Sequence, residues 1–303
     1  MKRGEPAVVP EAEFRSYYGR PVVKPPVWKV PDVPAYLYLG GLAGASSVMA
    51  VGAELTGRPR LARAGRLAAA AGSSLSVGAL VHDLGRPARF LHMLRVLKPT
   101  SPLSVGSWIL APFSALSGAA AVSELTGVLR GPGRASAALA GVLAPAMTTY
   151  TAVLLADTAV PGWHEVYREL PFVFAGSAVS SAGALGVLAA AGEDLPARRM
   201  AIAGAAVEVA ASGLMQRRAG MVAEVYRRGR AGAVLRAARV LTAVGAAAAA
   251  LAGRGPAARI TAGLCLSAGA AATRYGIFEA GRASVRDPRY TVVPQRDRRN
   301  RLE

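Results

Sequence analysis

The amino-acid sequence predicts an all-α integral membrane protein of about eight transmembrane helices, with a short amphipathic helix on the surface between spans 2 and 3. Three observations carry this expectation. Hydrophobic residues fill 52% of the 303 positions and charged residues only 18%. The charges crowd between apolar runs of about 20 residues, the length that crosses a bilayer core. Within the runs alanine, glycine and serine abound, the small residues through which helices approach closely in lipid.

The runs fall at 33–54, 64–82, 103–127, 136–158, 170–191, 198–216, 236–253 and 257–279. They divide the chain into an extramembrane N-terminal strap (1–32), a polytopic helical domain (33–280) and a basic C-terminal tail (281–303). The strap lacks the continuous apolar core of a signal peptide and reads as a retained tail. Its Pro21, Pro25, Pro26 and Pro31 favour an extended course over a surface.

Span 1 opens with Tyr36 and Tyr38 and continues through Gly40, Gly41, Gly44 and Ser47, a small face for helix contact. Span 2 ends at His82 and Asp83. The stretch that follows, HDLGRPARFLHMLRVLKPTSPLSVGSW, is too basic to lie in lipid. Arg86, Arg89, Arg95 and Lys98 share it with Phe90, Leu91, Met93, Leu94 and Leu97. That mixture fits either an amphipathic helix lying flat at the membrane surface or a solvated connector. The Gly85–Pro87 turn would start such a helix, and Pro99 and Pro102 would stop it.

Pro112 and Pro145 lie inside spans 3 and 4, where each kinks its helix and frees a carbonyl, toward a cavity or simply toward neighbouring protein. Span 4 carries Thr148, Thr149 and Tyr150 and ends at Asp157; Trp163, His164, Glu165, Tyr167 and Arg168 follow. Span 6 has Gly204, Ala205 and Ser212 as a small face and Glu208 near its middle. The starts of spans 2 and 6 are faintly alike, which fits two related four-helix halves. Span 7 ends in the low-bulk run Ala246–Ala250, and span 8 holds the sole cysteine, Cys265. One cysteine excludes an intrachain disulfide and a four-cysteine iron–sulfur cluster.

The net charge of +18 would suggest nucleic acid in a soluble protein. Here the arginines flank apolar runs, so they set topology and meet lipid headgroups, and no nucleic-acid partner is expected. With eight spans, the side holding both termini carries 26 Lys and Arg and the other side 10. The positive-inside rule then puts the termini in the cytoplasm, with the chain in a bacterial or archaeal cell membrane.

Polar groups gather on that same side. Tyr36, His82, Asp83, Tyr150 and Asp157, a phenol, imidazole and carboxylate set from separate helices, can hydrogen-bond the carbonyls of a quinone and relay its protons. Taken singly, tyrosines at this depth are ordinarily interfacial belt residues. Glu208 is costly in mid-span, and is either a buried acid bonded to a neighbouring helix or one step of a proton path. Glu54 and Glu124, at the far ends of spans 1 and 3, are further proton-transfer candidates or plain solvated ends. His82, His92 and His164 all lie outside the apolar middles, so no haem is expected, and no metal spacing or phosphate-binding loop is found.

At these residues the chain resembles the NrfD family, the membrane subunits of polysulfide-reductase-type complexes. The likeness rests on PAYLYL with GGLAGASS, HDLGRPARFLHML followed by KPTSPLSVGSW, TTYTAVLLADT with PGW, RYGIFEAGRASVRDPRY, and the early SYYGRPVVKPPVWK. It implies an eight-helix subunit of two four-helix bundles with no redox cofactor of its own. It implies menaquinone or ubiquinone as exchangeable substrate, a ferredoxin-like iron–sulfur subunit and a molybdopterin catalytic subunit as partners, and docking on the face where the quinone binds. By the same resemblance Tyr150 falls on the tyrosine associated with the quinone ring, with Asp157 a polar step further on. Tyr36 falls where relatives can carry histidine. Arg86, Arg89, Arg95 and Lys98 would hold the partner. Two other functions stay open: a secondary transporter or proton-conducting channel, suggested by Glu208 and the kinked spans, and a passive anchor.

Overall fold

The computed structural model describes residues 21–300, and every regular element among them is helical. The first 20 residues of the strap and the last three of the tail lie outside the described residues. The chain runs through α1 (Asp32–Leu55), α2 (Pro59–Asp83), a 3-10 helix (Pro87–Leu94), α3 (Pro102–Thr126), α4 (Arg130–Ala156) and the short α5 (Pro161–His164). It continues with α6 (Leu170–Ala189), α7 (Leu195–Arg218), α8 (Ala223–Arg227), α9 (Gly229–Ala250), α10 (Pro256–Arg286) and α11 (Arg289–Asn300).

Six helices, α1, α2, α3, α4, α6 and α9, are long and apolar enough to cross a membrane. The count differs from the expected eight for a chemical reason. α7 is as long as these but carries Arg198, Arg199, Glu208, Arg217 and Arg218, and α10 carries Arg259, Arg274, Glu279, Arg282 and Arg286. Short connections make successive long helices antiparallel neighbours. α1 packs on α2 and α4, α3 on α2 and α4, α6 on α7 and α10, and α9 on α7 and α10; α1 and α4 also touch α6. Proline in the first turn starts α2, α3 and α10, where its missing N–H leaves no helical bond unmade.

One end of the molecule gathers the strap, the 3-10 helix, α5, α8 and α11; it is called the strap end below. The basic surface segment is a 3-10 helix rather than the expected α-helix, and it closes at Leu94, short of Pro99. Its turns are held by Arg89 N–H to the Arg86 carbonyl (3.0 Å) and Arg95 N–H to that of His92 (3.2 Å). Beyond it, Ser104 Oγ accepts from Lys98 N (3.0 Å) and donates to the Val96 carbonyl (3.0 Å), fixing an extended approach to α3. Phe90, Met93 and Leu94 face α2 and α3, while Arg86, Arg89, Arg95 and Lys98 are exposed.

Small residues set the helix spacing. At Gly204 of α7 an added Cβ would lie 2.4 Å from Ser180 N and 2.8 Å from the Gly176 carbonyl of α6. Backbone cannot yield as a side-chain tip can, so Gly204→Val is expected to destabilise the protein by about 1–3 kcal/mol or more. Gly213→Val on the same helix meets nothing within 4 Å and is the control. Thermal unfolding of the two variants in detergent separates these outcomes; equal midpoints would refute the close-packing account.

Candidate functional site

At the strap end, α1 and α4 cross where Gly44 gives room: a Cβ there would lie 2.9 Å from the Ala144 carbonyl and 2.8 Å from Thr148 Cγ2. Two turns back along α1, and further along α4, this approach brings the Tyr36 and Tyr150 hydroxyls into a hydrogen bond. Both rings are buried, at 4% and 7% exposure, and meet edge to face with centroids 6.3 Å apart. Gly106 of α3 forms the floor, since a Cβ there would strike the Tyr150 ring at 2.7 Å. Two phenols that share one hydrogen bond leave one O–H over, and no other side-chain or backbone acceptor for it is found among the described residues.

Next to this pair an apolar cleft of about 20 Å³ runs between α2, the 3-10 helix and α3, lined by Val77, Leu80, Phe90, Met93, Ser107 and Leu110. His82 and Asp83 form its rim. His82 turns outward, 76% exposed, with Nδ1 2.8 Å from Asp32 Oδ2. Asp83 accepts from the Lys29 backbone N–H (2.8 Å), and Lys29 Nζ donates to the His82 carbonyl (3.0 Å), so the strap is tied down at the end of α2. Asp157 caps α4 through its backbone, and its side chain is exposed. The Thr148 and Thr149 hydroxyls both donate back to the Pro145 carbonyl (2.7 and 2.9 Å) and are thereby satisfied within α4.

The connection after α4 is locked onto α10. Trp163 Nε1 donates to the Ile277 carbonyl (2.8 Å), and its ring occupies the notch left by Gly281. Trp28 of the strap stacks on it at 5.4 Å. Gly162 N donates to Ser284 Oγ (2.9 Å), and Tyr226 Oη of α8 donates to the Gly162 carbonyl; burial holds that phenol well above its ordinary range. His164 Nδ1 lies 3.0 Å from the Ala156 carbonyl.

Glu208, which in the sequence has no obvious partner, finds one on α10. Its Oε1 accepts from Thr273 Oγ1 at 2.5 Å, while Oε2 has no hydrogen-bond donor among the described residues. Beside it stands Arg274, fully buried, whose charge acts on Glu208. Arg274 Nε donates to Ser177 Oγ (2.9 Å) and Nη2 to the Phe174 carbonyl (2.6 Å), and the guanidinium lies 3.8 Å from the Phe174 ring centre. Gly41 of α1 leaves the space its Nη2 fills. Arg274 was counted among the basic residues flanking the tail; it belongs instead to the core. A slot of about 10 Å³, near the size of one water, runs from Glu208 past Ser212 to Gln216 at the strap end.

At the opposite end, Glu54 and Glu124 share one partner instead of ending in open solvent. Arg66 Nη1 reaches Glu124 at 2.5 Å and its Nη2 binds Glu54, which Arg134 also contacts at 3.1 Å. The four basic residues of the surface segment make no ion pair among the described residues.

The family model described as Polysulphide reductase, NrfD, matches residues 22–211, from the strap through most of α7. No curated protein matches the chain.

Proposed function

Because the chain belongs to the polysulphide reductase NrfD family, we propose that it is the quinone-reactive membrane subunit of an electron-transfer complex. In this assignment all eight long helices cross the bilayer, as two four-helix bundles, with both termini in the cytoplasm. The observation that carries the function is the spare O–H of the Tyr36–Tyr150 pair, a buried donor with no protein acceptor beside an apolar cleft that meets the membrane. Converting a quinone to a quinol takes two electrons and two protons. The electrons come from a docked ferredoxin-like iron–sulfur subunit, itself fed by a molybdopterin catalytic subunit, or pass in the reverse direction. The protons are what this chain handles: the phenol pair donates to a quinone carbonyl, and the exposed His82–Asp32 pair at the rim exchanges them with water. Asp83 positions the strap at the cleft mouth, and Asp157 lies at the end of the Tyr150 helix, open to solvent.

Since the cleft holds about 20 Å³, a menaquinone or ubiquinone ring enters as Phe90 and Met93 move outward with the 3-10 helix. The exposed Arg86, Arg89, Arg95 and Lys98 stand on the outer side of that helix, and the acidic face of the iron–sulfur subunit docks there. Glu208, in its narrow slot, is a proton-holding group. A slot the width of one water favours protons over solutes, which speaks against the alternative of a secondary transporter.

Titration of the purified complex with a menaquinol or ubiquinol analogue tests this assignment. Saturable, stoichiometric binding that protects the 3-10 helix from hydrogen exchange is expected. Solute flux by the isolated subunit in liposomes, with no quinone binding by the complex, would overturn it in favour of transport.

A further inference from the structure

The end opposite the strap holds a cleft of about 380 Å³ between the last turns of α1 and α3 and the first turns of α2 and α4. Four arginines line it, Arg58, Arg66, Arg130 and Arg134, against two carboxylates, Glu54 and Glu124. Both carboxylates are already engaged by Arg66 and Arg134. Arg58 and Arg130 make no ion pair among the described residues; Arg58 Nη1 donates only to the Thr56 carbonyl (3.2 Å). The cleft thus keeps a formal surplus of two positive charges. Arg66 Nε is buried there with no acceptor, and the first turn of α4, which enters the cleft at Arg130, has no side-chain cap.

We propose that this cleft binds a phosphate-type anion, with Arg58 and Arg130 as its principal ligands. Guanidinium groups grip phosphate oxygens in pairs, and an uncapped helix start adds free N–H donors and a favourable dipole. Depth favours a lipid headgroup over free phosphate as the source. The cleft lies at helix ends, at the level of the headgroups, where basic pockets between membrane helices take anionic lipids. Exposed Val122, Leu125, Leu129 and Leu139 bracket its lining residues on α3 and α4 and offer acyl chains an apolar track. The site stands apart from the quinone assignment, since none of its residues reaches the strap end.

The test uses the full chain, delipidated in detergent and re-supplied with phosphatidylglycerol or phosphatidylcholine, with retained lipid read by native mass spectrometry. A parallel arm measures thermal stabilisation by inorganic phosphate alone. Phosphatidylglycerol is expected to be retained in preference, and the Arg58→Gln/Arg130→Gln double variant is expected to weaken that retention about tenfold, the loss of one charge-assisted contact. Arg60→Gln/Arg63→Gln, exposed charges at the same end but outside the cleft, should leave it unchanged. Stabilisation by inorganic phosphate without lipid preference, lost in the Arg58/Arg130 variant, would assign the site to a free anion. Equal retention of both lipids with no phosphate effect would overturn the proposal. So would equal losses in the two double variants.

Discussion

Tyr150→Phe is expected to lower quinone-linked turnover of the assembled complex by about 100-fold, the lower range for losing a positioned proton donor. The substitution removes one oxygen and leaves the ring on Gly106 and against Tyr36, so the packing of α1, α3 and α4 stays intact. It takes away both the shared hydrogen bond and the spare O–H, because the remaining Tyr36 phenol has no second partner to orient it. Tyr36→Phe should act in the same direction, and the double variant should cost little more than either single one, since the two hydroxyls work as one unit. The readout is turnover with a quinol analogue in membranes, set beside partner co-purification. Full-rate turnover by an assembled Tyr150→Phe complex would remove the phenol pair from the chemistry.

The same pair marks how far the sequence could be read. Tyr36 and Tyr150 are 114 positions apart, yet each sits at the same end of an apolar run, and alternation of direction alone brings those ends together. His82 was legible as a neighbour but not in its orientation. Its partner is Asp32, an acidic residue just before span 1 that nothing in the local pattern singles out. The basic segment was legible as a surface element because its charges and apolar residues are interleaved. Its 3-10 winding was not, because an eight-residue piece between turns does not reveal whether its hydrogen bonds close at three residues or four. The hydropathy that marks out six spans weakens in α7 and α10 for one reason. Those helices carry polar groups that satisfy each other across the interface, which a window average along one helix cannot register.

Arg274 is the sharpest instance, and its removal should be the most damaging single change to stability. It lay inside the run 257–279, and an acid at Glu208 in mid-membrane called for a counter-charge. Arg274→Met leaves Glu208 bonded only to Thr273 and strips the donors from Ser177 and the Phe174 carbonyl. Breaking a buried charge pair from one side costs about 3–5 kcal/mol, because the other charge stays buried and uncompensated. Removing both, as Glu208→Leu/Arg274→Met, should recover much of that loss, since apolar replacements of similar volume are often neutral or better. A double-mutant cycle on thermal unfolding in detergent measures the coupling, and strict additivity would show that the two charges do not compensate one another. The rescued double variant also separates structure from proton handling. If it is stable and assembled yet consumes quinol without normal proton movement, Glu208 holds a proton in turnover; if proton movement is intact, the carboxylate serves only to balance Arg274.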